Sequence, residues 1–315
     1  MDRIDIKILG QLHRGVSKLG FQPDGKGLYR RIAKKLALNE DTIRKRVDRL
    51  ESSGVIRGWQ LVVNPDVFGL NTYALWMTVD SQMRIEEAVR KIRLVHGVAT
   101  IVHGMGDILS IGIVCESAQV FRKRIELISE LTGGKELTTS VVPQPKSDCE
   151  PTSTDWQIIN TLRTDPLMRY TKVGEKLGLS TKTVQRRVTK LTHGNAIFFL
   201  PDVDFTHLEG ASWVGLSVYY TDGVFKDSIE RSIFTKFEDY VLLVAWTDAG
   251  HGYLEFVIPN AHALQEIVEL TRAQEGVRDV RANINYNRLN FYDDVLDEIA
   301  TGNVKGTAAL WALRV

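Results

Sequence analysis

Two short stretches of this 315-residue chain carry side chains suited to the edges of base pairs. Thr42, Arg44, Lys45, Arg46 and Arg49 follow the turn former Asn39, and Lys182, Thr183, Gln185, Arg186, Arg187 and Lys190 follow Ser180. Arginine forks onto guanine, glutamine onto adenine, and the threonine methyl meets that of thymine, so helices presenting them suit the major groove of double-stranded DNA. Asn39 and Ser180 fit the N-cap position, where a side-chain oxygen accepts from a free backbone N–H. Ile43, Val47 and Leu50, and again Val184, Val188 and Leu191, recur at i, i+4, i+7 and mark the side each helix buries. Most of the polar set falls off that stripe. Arg46 and Arg187 border it and are candidates for a partly structural role. A solvated basic face that only keeps the chain soluble is the competing reading of one such helix, and its recurrence in two copies weighs against it.

Charge distribution agrees. The chain is 43% hydrophobic and 25% charged, ordinary for a globular protein, and its net charge is only +1. Nine basic residues against Glu40, Asp41 and Asp48 between Lys26 and Arg49 give +6. Eight against Asp165 and Glu175 between Arg163 and Lys190 give +6 again, so the remainder carries −11. Two basic islands on an acidic body are the footprint of two phosphate-binding surfaces.

The elements that must position these residues form an internal repeat. Leu36–Leu50 matches Leu177–Leu191 at an offset of 141, with Thr42/Thr183, Arg46/Arg187, Val47/Val188 and Leu50/Leu191 coinciding. Asp5–Leu12 matches Asp155–Leu162 at an offset of 150, the difference being a turn-rich insertion around Gly20–Gly27. Short helices at Tyr29–Leu36 and Tyr170–Leu177 precede the two basic helices. In copy one, strands are expected at Tyr73–Asp80, Val98–His103, Asp107–Cys115 and Glu136–Val142, and helices at Arg84–Val95 and Ala118–Glu130. In copy two the strands are Trp213–Tyr220, Val241–Trp246, Gly252–Ile258 and Val277–Asn285, and the helices Lys226–Phe237 and Ala261–Gln274. The order βαββαβ predicts a ferredoxin-like antiparallel sheet with both helices on one face. The fold class is therefore α+β: two winged helix-turn-helix domains, each followed by a ferredoxin-like domain. The expected domains are 1–64, 70–145, 152–202 and 210–291, with a helix at Tyr292–Ala300 and an apolar tail within 292–315. Ile56–Pro65 reads as a wing or a connecting strand, and Pro143–Pro151 as a semi-extended linker.

Asp5–Leu9, Leu36-Ala-Leu-Asn39, Arg46-Val-Asp-Arg-Leu50 running on to Gly54-Val-Ile-Arg-Gly58, Asn64-Pro65 and Gly69-Leu70 closely resemble the Lrp/AsnC (feast/famine) transcription regulators. Gly104-Met-Gly106-Asp107 resembles the glycine-aspartate turn of that family's sensing (RAM-type) domain. Copy two matches in its recognition helix and element order, lacks the Gly-Val-Ile-Arg-Gly signature, and has Trp246-Thr-Asp248-Ala-Gly250-His-Gly252 at the turn. The resemblance implies DNA as partner and an amino acid or similar small metabolite as effector, with Gly104, Gly106, Asp107, Asp248 and Gly250 as candidate contacts. An ordinary hairpin turn is the alternative for those residues. Ordinary members are single copies that dimerise with sheets face to face. The fusion thus predicts an intramolecular pseudo-dimer, its two apolar sheet faces covering each other and its two unlike reading heads suited to an imperfect palindrome. Whether it assembles further into a homo-oligomer is left open.

Two other readings compete. Fused pairs on this plan also resemble the siroheme decarboxylases, enzymes that handle iron tetrapyrroles. Of His13, His96, His103, His193, His207, His251 and His262, only His103 and His251 fall near the sensing turns, and Asn64-Pro-Asp-Val-Phe68 stands where those enzymes are expected to be Arg/His-rich. The other is a scaffold whose helix-turn-helix units bind protein. No catalytic residues, metal site or cofactor are expected: no Ser-His-Asp arrangement, metal spacing or phosphate loop is evident. Apolar runs are too short to cross a bilayer and the start is no secretory signal. Cys115 and Cys149 are expected to be free thiols in a reducing cytoplasm.

Overall fold

A computed structural model describes residues 1–19, 26–80, 82–142, 144–222, 226–245 and 250–301. Copy one runs α1 (Arg3–Leu19), α2 (Lys26–Leu36), α3 (Glu40–Ser52), β1 (Ile56–Val63), β2 (Asn71–Thr78), α4 (Ile85–Arg93), β3 (Val98–Gly104), β4 (Ile108–Cys115), α5 (Ala118–Thr132) and β5 (Lys135–Val142). Copy two repeats the order as α6 (Ser153–Thr164), α7 (Tyr170–Leu177), α8 (Thr181–His193), β6 (Ile197–Val203), β7 (Ser212–Tyr220), α9 (Lys226–Phe237), β8 (Val241–Ala245), β9 (His251–Ile258), α10 (Ala261–Arg272) and β10 (Val277–Asn290). Helix α11 (Tyr292–Thr301) follows, at the position expected from the sequence. The class is α+β, with helix-turn-helix and ferredoxin-like parts alternating. Residues 20–25 of the expected insertion loop and 308–315 of the expected tail lie outside the described residues.

The chain divides into two compact units. One holds Gln11–Leu70, Gln144–Val203 and the chain from Phe291, and the other holds Met1–Gly10, Asn71–Pro143 and Asp204–Asn290. In the first unit β1 pairs antiparallel with β6, so Ile56–Val63 is a connecting strand whose partner comes from the other copy. Trp59 lies opposite Pro201, Gln60 opposite Leu200 and Leu61 opposite Phe199. Under the 141-residue offset these pairs exchange equivalent positions, which makes the ribbon locally two-fold. Arg57 bridges to Asp202 across it at 3.1 Å. The linker is pinned rather than loose: buried Asn64 donates from Nδ2 to the carbonyls of Pro145 and Asn195, both at 2.8 Å. Phe68 stacks on Trp156 of α6 at 5.7 Å. Helix α11 docks on α6 through Arg163, which reaches Asp293 and Asp297 at 3.1 Å each, and Tyr292 donates to the Val63 carbonyl at 3.0 Å.

In the second unit each ferredoxin-like part has its four strands in the order β5-β2-β4-β3 or β10-β7-β9-β8. Alternation decides which side chains meet the helices. Tyr73 of β2 stacks on Phe121 of α5 at 4.6 Å. In copy two, Val214, Leu216, Val218, Leu254, Phe256 and Ile258 pack with Ile229, Ile233, Phe237, Ala263 and Ile267. Each such side chain contributes about 1.5–3 kcal/mol when fully buried. The helix-free faces do meet, Trp76 of β2 lying 4.8 Å from Tyr253 and 5.2 Å from His251 of β9. These faces are mixed where apolar ones were expected: alternation brings Ala74, Trp76, Val102, Val114, Trp213 and Val257 to that side together with Thr72, Thr100, Ser110, Tyr253 and Glu255. The sheets are also fused edge to edge. Val277–Asn285 of β10 pairs with β7, and Asn285–Asn290 continues onto Thr100–Gly104 of β3, five residues beyond the expected end of the strand.

Candidate nucleic-acid interface

Each basic helix is held by its cap, its buried stripe and the turn before it. Asn39 Oδ1 accepts from the Thr42 N–H at 2.6 Å, and Ser180 Oγ from the Thr183 N–H at 3.1 Å. Ile43, Val47 and Leu50 are buried in α3, as are Val184, Val188 and Leu191 in α8. The turn needs a left-handed residue, supplied by Ala37 at φ 52° in copy one and Gly178 at φ 66° in copy two. The next N–H then closes back on the preceding helix, Leu38 to the Ala33 carbonyl at 2.9 Å and Leu179 to that of Gly174 at 2.8 Å. As copy two is arranged, a Cβ on Gly174 would collide with the Leu179 carbonyl oxygen, whereas copy one accommodates Ala33 at the equivalent place.

With the stripes buried, the polar set faces outward. Lys45 and Arg49 of α3 are exposed, and Thr42, Arg44 and Arg46 half-buried. Lys182, Gln185, Arg186 and Lys190 of α8 are exposed and Thr183 half-buried. Ser180, Lys182, Thr183, Gln185, Arg186 and Thr189 line a concavity of about 420 Å³. Thr189 is a member that the sequence did not single out. Arg44 is steered by Glu40, 3.3 Å away, and by the Tyr29 ring, 5.3 Å from its guanidinium carbon. Burial pushes the Tyr29 phenol up to about 12, with Glu51 and Asp48 adding to the shift, so the ring stays neutral beside it.

Arg187 departs from the expected set. Its Nη1 donates to Asp155 Oδ1 at 2.8 Å and to Thr152 Oγ1 at 3.2 Å, tying α8 to the start of α6. Asp155 is fully buried and closes a capping box, its Oδ2 accepting from the Thr152 N–H at 2.9 Å. Burial alone would raise this carboxyl, but the hydrogen bonds from Thr152 and the Arg187 guanidinium hold it below its ordinary value. Arg187 is therefore a positioning residue. The sequence hinted at this only through its place beside the stripe, since the pairing spans 32 residues.

The effector candidates differ in their surroundings. Gly104 is buried, and a Cβ there would strike the Asn283 side chain, so its glycine serves close packing on β10. Gly106, at φ 73°, and Asp107 are exposed and line a concavity of about 400 Å³ with Arg84, Glu86 and Tyr286. Gly250 has φ 102°, and Asp248 lies outside the described residues. His103 and His251 are buried in ring contacts, His103 against Tyr286 and His251 against Trp76 and Tyr219. Among the described residues, no group of three or more His, Cys, Asp or Glu is placed to hold a metal ion, and no helix is long and apolar enough to cross a membrane.

The model of the AsnC-type helix-turn-helix domain matches residues 152–192, in copy two. The HTH-type transcriptional regulator Ptr1 of Methanocaldococcus jannaschii is 31% identical over 93 residues, 30% of this chain and 57% of that protein's own length. The HTH-type transcriptional regulator FL11 of Pyrococcus furiosus is 27% identical over 143 residues, 45% of this chain and 89% of that protein. Over 95% of this chain the fold is similar to 99% of the siroheme decarboxylase NirDL, with a TM-score of 0.54 and 12% identity, a likeness of fold alone.

Proposed function

We propose that the chain is a regulator of the Lrp/AsnC type, which binds double-stranded DNA sequence-specifically; the match of residues 152–192 to the AsnC-type helix-turn-helix domain supports this. It acts as a single-chain pseudo-dimer with reading heads at 1–64 and 152–202. The observation that carries this reading is the pair of capped helices, α3 and α8, each with its apolar stripe buried and Arg, Lys, Thr or Gln outward. The names of the relatives, both regulators, support it. The local two-fold of the β1–β6 ribbon favours two half-sites in inverted orientation, about one helical turn or a multiple apart.

Replacing Arg44 and Arg49 together by alanine tests the proposal. Each lost base contact costs about 1–3 kcal/mol, and loss of phosphate contacts lowers the salt slope by roughly one per contact. Fluorescence anisotropy on duplexes selected from random DNA reads both quantities. Unchanged affinity and slope in the double variant refute the placement of α3. Salt-insensitive binding to a protein in place of DNA speaks for a scaffold, and a red-shifted visible band on adding siroheme for an enzyme.

For an effector, the concavity beside Gly106 and Asp107 is the site we favour. Asp107 and Glu86 suit an ammonium group and Arg84 a carboxylate, the pairing an amino acid needs. Calorimetric titration with free amino acids, repeated on Asp107→Ala, checks this: binding that survives the substitution unchanged removes the site.

A further inference from the structure

Strand β9 is buried along its whole length. A carboxyl group is costly in such a strand unless it is neutral or well paired. Glu255 is 5% exposed there, and its Oε2 accepts from Trp213 Nε1 at 3.3 Å. Trp213 is stacked against Phe205 at 3.9 Å, and the Arg288 guanidinium lies 5.1 Å from the Phe205 ring. Phe205 comes two residues after the last residue of β6. Next along the same face, the Tyr253 hydroxyl accepts from Asn285 Nδ2 at 3.4 Å, and its ring packs on Trp76 of the other copy.

Copy one has nothing of the kind. Aligning the strands through their register puts Gly112 where copy two has Glu255 and Ser110 where it has Tyr253. Val142 and Thr72 stand opposite each other as Asn285 and Trp213 do. The ionisable cluster thus belongs to one half only, which a role common to both sheets does not explain.

We propose that Glu255 is a proton-operated latch at this seam. Protonated, it sits neutral behind Trp213 and lets Phe205 and the helix-free faces close. Ionised, having given its proton to solvent, it loosens that packing. The titratable or charged groups facing it are Tyr253 on its own strand and Arg288 on β10. The other elements bring Trp213 (β7), Phe205, Asn285 (β10) and Trp76 (β2), none of which ionises, and Leu243 is its register partner on β8. His251, two positions beyond Tyr253, is taken up with Trp76 and Tyr219. Burial raises the Glu255 carboxyl from 4.5 to about 7, against the pull of Arg288 and the hydrogen bonds of Trp213 and Tyr253. Because the folded value lies above the unfolded one, the contribution is complete below 4.5 and is lost as pH rises through about 7. The full swing is roughly 300-fold in the folding equilibrium.

The test is thermal unfolding of the full chain between about pH 5 and about pH 8, for wild type and Glu255→Gln. The wild type should lose Tm across this range, and the variant, an uncharged mimic of the acid, should lose less, the difference curve centring near 7. Parallel curves overturn the latch. Infrared difference spectra of wild type labelled with 13C-glutamate need no variant. A protonated carboxyl band titrating near 7 is expected, and its absence at mildly acidic pH overturns the proposal. Trp213→Phe removes a donor to the carboxylate and should move the midpoint upward. No DNA enters these measurements, so they stand apart from the regulator reading.

Discussion

Asp155→Asn removes one charge from a pair that sequence distance conceals. The carboxylate is fully buried and accepts from Thr152 N–H, Thr152 O–H and Arg187 Nη1 at 2.9, 2.7 and 2.8 Å. Removing one partner of a buried ion pair costs about 3–5 kcal/mol. Two features pull the figure down: the Arg187 side chain keeps 29% exposure, so water recovers part of its solvation, and asparagine retains an oxygen for Thr152. We expect about 2–3 kcal/mol, which at roughly 2–4 °C per kcal/mol lowers Tm by about 4–12 °C. The pH dependence has a definite sign. Asp155 is depressed in the fold, so its contribution is present above the ordinary carboxylate pKa and disappears as pH falls through the folded value. The variant should therefore approach wild type in acid. Calorimetry on both proteins at neutral and acidic pH is the assay. A loss below about 0.5 kcal/mol at neutral pH, the range of ordinary surface changes, would refute the claim that this pair fixes α8 on α6.

Two further outcomes follow from the turns and the reading faces. Gly174→Ala gains about 1 kcal/mol of helix propensity but sets a methyl against the Leu179 carbonyl, an overpacking worth about 1–3 kcal/mol; urea unfolding should find the variant less stable, and a gain would show that α7 can shift freely. Gln185→Ala should weaken protection of one half-site by about 1–3 kcal/mol and leave the other intact, so equal loss at both half-sites in a footprint contradicts the assignment of unlike heads.

Much of this was legible because periodicity and caps are local. Ile43, Val47 and Leu50 announced the buried side of α3, and Asn39 its start. Strand and helix positions in both ferredoxin-like parts followed from alternation and apolar spacing. What escaped depends on partners far along the chain. Asn285-Tyr-Asn-Arg-Leu-Asn290 is too polar to look like strand, yet β3 supplies its ladder. Ile56–Val63 gave no sign of β6 as its mate. The place of Arg187 beside the apolar stripe hinted at a structural role, but its partner Asp155 lies 32 residues away. Glu255 stands in the sequence as a lone acid among Tyr253, Leu254, Phe256 and Val257, a pattern that does not say what covers it. Nor does the sequence show that Asn283 occupies the space a Cβ on Gly104 would need.

The ribbon of β1 and β6 has a consequence for mass action. Its two strands lie in one polypeptide, so the junction forms unimolecularly. Dilution cannot part the two strands, and under the proposed regulator reading occupancy of an operator should rise with the first power of protein concentration, where a dissociating pair of separate chains would give a steeper curve. Single-chain identity also frees each strand from its twin: Gln60 and Pro201 hold equivalent places yet can drift independently, so one codon change retunes one side of the junction alone.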